Sequence, residues 1–150
     1  MEILQPLFND PSQLLLFILS FLAATLLPIG SEWLLIVMIF RGFNPECTVL
    51  TATFGNYLGA CTNYFIGMWG SNFLTEKILR IDARQQARAK KKYSKYGSWS
   101  LLFAWVPVVG DPLCLLAGAF RIHFFKFSLL VFVGKFFRYA ILAFLILQGK

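Results

Sequence analysis

Four long apolar stretches, at 12–40, 47–69, 99–120 and 124–147, leave this chain almost no sequence from which to build a water-facing surface. Two of the four are broken in mid-stretch. The first carries Pro28-Ile29-Gly30-Ser31-Glu32 and the third Pro107-Val108-Val109-Gly110-Asp111-Pro112. Breaks of this kind free backbone groups that hydrocarbon cannot satisfy, so they are tolerated at membrane depth only against protein or a water-filled cavity. The second and fourth stretches have the length of ordinary spans, about 20 residues. The first, with 29 residues, is too long for one upright crossing. The pattern predicts re-entrant hairpins at 12–40 and 99–120, broken at Pro28, Gly30, Pro107, Gly110 and Pro112, and membrane helices at 47–69 and 124–147. Charge supports this, because only 14% of the 150 residues are charged against about 25% in soluble domains. A domain that folds in water is excluded. One membrane domain over residues 1–150 is expected.

The first stretch does not read as a secretory signal. The only charged residues ahead of it are Glu2 and Asp10, the wrong sign for the positively charged n-region. Cys47, Cys61 and Cys114 lie in or beside apolar sequence without metal-ligand spacing, so they are read as packing residues. No metal and no cofactor are expected.

An offset of 79 residues places Pro28 on Pro107, Glu32 on Asp111 and Gly55 on Gly134. Each half is then a hairpin followed by a span. Internal repeats of this type are the usual plan of secondary transporters, with the site near the midplane where the repeats meet. Charge orients the halves. Residues 76–95 contain eight basic residues and two acids, which places them in the cytoplasm by the positive-inside rule. With two hairpins, Arg121 and Lys126 also fall inside and the two halves are inverted. The segment 71–97 is expected to contain a helix, because Lys77, Arg80, Arg84, Arg88, Lys91 and Lys95 recur at spacings of three and four. It reads either as a solvated loop or as a helix lying on anionic headgroups, where each basic residue contributes about 1 kcal/mol. Nucleic-acid binding is not expected beside four membrane segments.

The chemistry must lie in the few polar groups at membrane depth. Each isolated charge there costs at least about 2.5 kcal/mol. Lys135 and Arg138 share one face of the last span, and Glu32 and Asp111 sit at the hairpin breaks, so the four formal charges sum to zero. The expectation is a buried cluster of the two acids against the two cations, the pairing left open. Asn56 and Asn63, seven residues apart on one face of the second span, add polarity to the same interior or hold helices together. Such ions either secure the packing of the hairpins or mark a pathway. No nucleophile, phosphate loop or catalytic histidine is present, His123 being at a membrane edge, and an enzyme is not expected.

Three segments resemble the DedA family, also called SNARE-associated or VTT-domain proteins, and in particular its short YqaA-like bacterial branch. They are Pro28 to Glu32, Ala52-Thr53-Phe54-Gly55-Asn56-Tyr57-Leu58-Gly59, and Pro107 through Gly118. The match runs from about residue 12 to 148. The resemblance implies two facing re-entrant hairpins in a bacterial inner membrane. It also implies movement of lipids between leaflets, among them polyprenyl phosphate and phospholipid, with proton-dependent transport. Glu32 and Pro107 match the family's acid and second proline. Ala104 and Gly110 stand where typical members carry arginines, and Ala60 where they carry an aspartate, so here the cations have moved to Lys135 and Arg138.

Together these features predict an all-α integral membrane protein of two inverted halves joined by a basic cytoplasmic helix. Its expected activity is transport or scrambling of an anionic lipid with proton coupling. The alternatives are a non-transporting structural protein and a proton-coupled exporter of small solutes. Membrane lipids and protons are the expected partners, and a homo-oligomer is compatible with the sequence.

Overall fold

A computed structural model describes residues 11–25, 31–70, 84, 87–88, 91, 97, 99–106 and 109–149. The described residues are helical, without strands. In chain order they form α1 (Pro11–Thr25), α2 (Glu32–Phe40), α3 (Pro45–Trp69), a 3-10 helix (Leu101–Trp105), α4 (Gly110–Ala119) and α5 (Phe124–Gln148). The two long helices expected at 47–69 and 124–147 are present as α3 and α5, α3 beginning two residues earlier than the apolar pattern suggested. The reason is local. Asn44 Oδ1 accepts the amides of Glu46 at 2.9 Å and Cys47 at 3.5 Å, and Pro45 takes the first helical position, where a missing N–H costs nothing.

α5 has the character of a membrane helix. It is 25 residues long, its most apolar 18-residue stretch has a mean hydropathy of 2.1, and among the described residues it is the one helix long and apolar enough to cross a bilayer. Its buried stripe recurs every four residues, at Phe127, Val131, Lys135, Tyr139 and Ala143, while Phe125, Leu129, Phe137, Ile141 and Phe144 are exposed. α1 shows the same inversion of a water-soluble pattern. Gln13, Leu16, Ser20 and Ala24 are buried and Leu14, Leu15, Ile18 and Leu19 are exposed. In water so large an apolar surface would drive association, whereas in hydrocarbon it is ordinary.

The chain divides into two compact units, residues 1–59 with 135–150, and residues 60–134. In the first, α1 and α3 run parallel. Gln13 meets Thr48 near the starts of the two helices, Phe17 and Ser20 lie on Gly55, and Phe21 and Ala24 lie on Gly59. At Gly55 and Gly59 a Cβ would strike the α1 backbone, so this glycine pair, four residues apart, sets the close approach. α2 returns toward the start of α3 and ends in a reversal at Gly42, whose φ is 90°. There Gly42 N–H bonds Ile39 O and Phe43 N–H bonds Met38 O, both at 3.1 Å. Leu16, Leu35, Met38, Ile39, Val49, Ala52 and Ala143 form the apolar core of this unit.

In the second unit α4 follows the 3-10 helix closely, because Gly110 lies against Ala104 O where a Cβ would collide. Gly67 and Gly118 likewise bring α3 against α4 with no side chain between. Tyr64 donates to Ile122 O at 2.5 Å and its ring packs on Phe127 at 4.6 Å and Phe124 at 5.4 Å between centroids. α4 ends as α2 does, with Arg121 at φ 52° in the place of a glycine. Ile122 N–H bonds Ala117 O and Arg121 N–H bonds Gly118 O, each at 2.9 Å.

The offset of 79 residues recurs in the bounds of the elements. Shifting by the separation of Asn56 and Lys135, 79 residues, carries Pro45–Trp69 onto Phe124–Gln148 and the Glu32 start of α2 onto Asp111 in the first turn of α4. It also carries the reversal at Gly42 onto Arg121. Of the expected hairpin breaks, Gly110 and Pro112 lie in the first turn of α4, where proline is tolerated. Pro28, Gly30 and Pro107 lie outside the described residues. So do Lys77, Arg80 and Lys95, while Arg84, Arg88 and Lys91 are helical and exposed.

Candidate functional site

The first unit gathers its polar groups where α2 begins, beside the middle of α3 and α5. Glu32 is the first residue of α2, where the free N–H groups of the helix favour an acid. Its Oε1 pairs with the Arg138 guanidinium of α5. Of the four charges expected to cluster, Glu32 and Arg138 are thus brought together. The pair is not sealed, the two side chains keeping 21% and 12% of their surface accessible.

One helical turn away, Lys135 is 1% exposed, in the middle of the buried stripe of α5. Its ammonium donates to Asn56 Oδ1. Asn56 Nδ2 in turn donates to the Tyr139 hydroxyl at 2.9 Å, and that hydroxyl lies 2.5 Å from Ser31 Oγ. Either hydroxyl of that last pair can donate. A hydrogen-bonded chain from Lys135 through Asn56 and Tyr139 to Ser31 thus runs beside the Glu32–Arg138 pair. The Arg138 guanidinium also lies 5.5 Å from the centre of the Tyr139 ring, within cation–π range. Lys135 and Asn56 occupy the same place in their respective repeats, and they touch.

Asp111, the repeat counterpart of Glu32, belongs to the second unit, half-buried in the first turn of α4. Asn63 is buried in the second unit as well, whereas Asn56 serves the first. Two members of the cluster were missed from sequence. Ser31 stands next to Glu32 and Tyr139 four residues after Lys135, so helical spacing from the cation was the available signal. The site in the first unit contains an acid that can hold a proton, an ammonium and a guanidinium that can attract an anion, and hydroxyl and amide groups that fix their positions.

The VTT domain profile matches residues 11–148. The inner membrane protein YqaA of Escherichia coli (strain K12) is 43% identical over 135 residues, covering 89% of this chain and 90% of that protein. An uncharacterized protein of Haemophilus influenzae is 39% identical over 138 residues, covering 87% and 84%. The membrane protein YbfM of Bacillus subtilis is 26% identical over 144 residues, covering 91% and 89%. No solved structure matches the chain. With the apolar faces of α1 and α5 turned outward and the family profile spanning almost every residue, this chain belongs to the VTT-domain, or DedA, family of membrane proteins.

Proposed function

We propose that this protein moves an anionic lipid across the membrane, a polyprenyl phosphate or a phospholipid, with the headgroup handled at Lys135 and Arg138. The observation that carries the reading is the partly accessible Glu32–Arg138 pair beside the buried Lys135 of α5, the one described helix long and apolar enough to cross a bilayer. Groups that served packing alone would be cheaper as apolar side chains, since replacing a buried ion pair by hydrophobic residues is often neutral or stabilising. A phosphate can compete with Glu32 for the guanidinium, and the N-terminus of α2 favours negative charge at the same place. Protonation of Glu32 then releases Arg138 and favours the headgroup-bound state, which is a route to proton coupling. Asp111 would play the matching part for the second half.

The topology belongs to the same proposal. α1, at 15 residues, is shorter than the ~20 residues of a span, and α2 brings the chain back to the level at which α3 begins. This supports a first re-entrant hairpin, with residues 41–46 on one face of the inner membrane and 76–96 on the cytoplasmic face. Labelling of single cysteines from each side checks it. Position 123 is expected on the face opposite position 44, and finding both on one face removes the second hairpin.

Lipid transfer by the purified protein in vesicles is the direct test. The native chain is expected to move a phosphate-bearing lipid. A charge-free variant combining Glu32→Gln, Asp111→Asn, Lys135→Met and Arg138→Met is expected to fold and to be inactive. Full activity of that folded variant would overturn the mechanism and leave a structural role for the ions.

A further inference from the structure

The two helical reversals follow one backbone plan and carry different chemistry. At the offset of 79 residues, Gly42, Asn44, Pro45, Glu46 and Cys47 correspond to Arg121, His123, Phe124, Phe125 and Lys126. Over these positions the first reversal holds one acid and the second two cations. Arg121, His123 and Lys126 are all exposed. Arg121 also occupies the left-handed region, at φ 52°, where a residue with a side chain is uncommon. Gly42 closes the same turn with the same two hydrogen bonds, so the backbone does not ask for an arginine. A residue kept in a sparsely populated conformation points to a use for its side chain.

Aromatic rings adjoin these cations. Tyr64 of α3 donates to Ile122 O at 2.5 Å, which fixes α3 against the reversal. One residue further along α3, Phe65 stacks on Phe124 with ring centroids 5.6 Å apart, and Trp69 lies 6.1 Å from Phe65. Phe65, Trp69 and Phe124 are exposed, so this row of rings faces what surrounds the protein. Exposed arginine and lysine are costly in hydrocarbon, and α5 turns apolar directly after Lys126. The reversal therefore sits where the hydrocarbon ends, the depth at which amphipathic aromatic residues collect. At the corresponding place of the first unit, Pro45 and Glu46 lie beside Phe144 and Leu147 of α5, and the charge in that corner is negative.

We propose that the α4–α5 reversal and the adjoining rings form a docking surface for the phosphate headgroup of an anionic phospholipid. Arg121 and Lys126 supply the charge, and the guanidinium can take two phosphate oxygens at once. Phe65, Trp69 and Phe124 offer apolar faces to the chain segments just below the headgroup. Each cation at an anionic membrane surface strengthens the attraction about fivefold. A choline headgroup, by contrast, brings an ammonium that these cations repel. The surface holds the second unit at its depth and enriches anionic lipid around it. It consists of residues outside the Glu32–Arg138 pair and stands whether or not lipid is moved.

The test uses the full chain with Trp33, Trp99 and Trp105 replaced by phenylalanine, which leaves Trp69 as its one tryptophan. In phosphatidylcholine vesicles, quenching of Trp69 by brominated phosphatidylglycerol is compared with quenching by brominated phosphatidylcholine. A preference for phosphatidylglycerol on the order of tenfold is expected, and Arg121→Gln with Lys126→Gln is expected to remove it. A second reporter, Gln148→Trp with Trp69→Phe, stands at the counterpart of residue 69 and is expected to show no preference. Equal quenching by the two lipids at Trp69 overturns the proposal. So does a preference that survives the double substitution, which assigns the attraction to the basic segment 76–95, and so does an equal preference at residue 148. If inorganic phosphate abolishes the preference at an ionic strength where sodium chloride does not, the surface binds the free anion and the proposal falls. Should the double variant fail to accumulate, Lys126→Gln alone decides, with a loss of about fivefold expected and no change overturning the proposal.

Discussion

The two units are assembled from corresponding parts, and they differ in what fills them. The first combines α1, α2, the opening part of α3 and the closing part of α5, and the second combines the 3-10 helix, α4, the rest of α3 and the opening part of α5. Their long helices share bounds at one offset and their short helices end in the same reversal. At the site the likeness stops. The repeat counterparts of Lys135, Arg138 and Tyr139 are Asn56, Gly59 and Ala60, and the counterpart of Ser31 is Gly110. Only the acid is kept in both. Both units pack backbone on backbone at glycines, Gly55 and Gly59 in the first and Gly67 and Gly118 in the second, but the first adds the Glu32–Arg138 pair and the chain from Lys135 to Ser31, whereas the second clusters the rings of Tyr64, Phe65, Phe124 and Phe127. Backbone plan and chemistry are thus separable here. Caps and reversals repeat the plan, and a handful of side chains make one unit the site.

The largest effect should come from breaking the Glu32–Arg138 ion pair of the first unit. Glu32→Gln or Arg138→Gln leaves its partner charged at a partly buried position, and loss of one member of a buried pair costs about 3–5 kcal/mol. Reduced accumulation in the membrane and a lowered unfolding midpoint in mild detergent are expected. In the second unit the comparable injury is steric. Gly118→Ala drives a methyl into Tyr64 O, and such overpacking costs about 1–3 kcal/mol. A glycine substitution more damaging than either charge substitution would mean that the two units rank the other way.

Hydroxyl deletion sharpens the same contrast at smaller scale. The Tyr139 hydroxyl joins Asn56 to Ser31, and its removal in Tyr139→Phe leaves both without that partner in a fully buried place. The cost expected is about 1–3 kcal/mol, that of unsatisfied buried groups. Tyr64→Phe in the second unit removes one bond to the Ile122 carbonyl while its ring contacts stay. About 0.5–1.5 kcal/mol is expected there, the net worth of a single hydrogen bond. Chemical unfolding of both variants in detergent checks the order.

The sequence was legible where physics leaves few choices. Apolar runs of span length predicted the helices α3 and α5 to within two residues, whereas the four ionisable residues of the apolar stretches suggested only a cluster with its pairing open, of which Glu32 and Arg138 are brought together. Less legible were groups whose role depends on rotation about a helix. Ser31 and Tyr139 are ordinary residues in an apolar chain until the register of α5 against α2 makes them neighbours. Asn56 and Asn63 share a helical face in sequence, but α3 contributes to both units, so its two asparagines serve different surroundings. The apolar stretch 99–120 contains a short 3-10 helix, Leu101–Trp105, which hydropathy alone did not indicate.

The smallest expected effect tests the claim that the backbone plan is independent of the side chains it carries. Gly42 and Arg121 occupy equivalent reversals, with φ of 90° and 52°. A left-handed conformation costs a residue with a Cβ about 1–2 kcal/mol, and glycine nothing of the kind. Arginine at 121 therefore carries a strain that its counterpart lacks, although both reversals close with the same two hydrogen bonds. Relief is partly offset, because glycine also loses more freedom on folding than any other residue, by roughly 0.5–1 kcal/mol. Arg121→Gly is expected to stabilise the protein by at most about 1 kcal/mol, and Gly42→Ala to destabilise it by a similar amount. Unfolding midpoints of the two variants, measured in the same detergent, give the comparison. Arg121 is exposed, so the loss of its charge should leave packing untouched. A clear loss of stability in Arg121→Gly would show that the side chain itself holds the reversal, and that the second unit keeps its shape by a contact the first does not need.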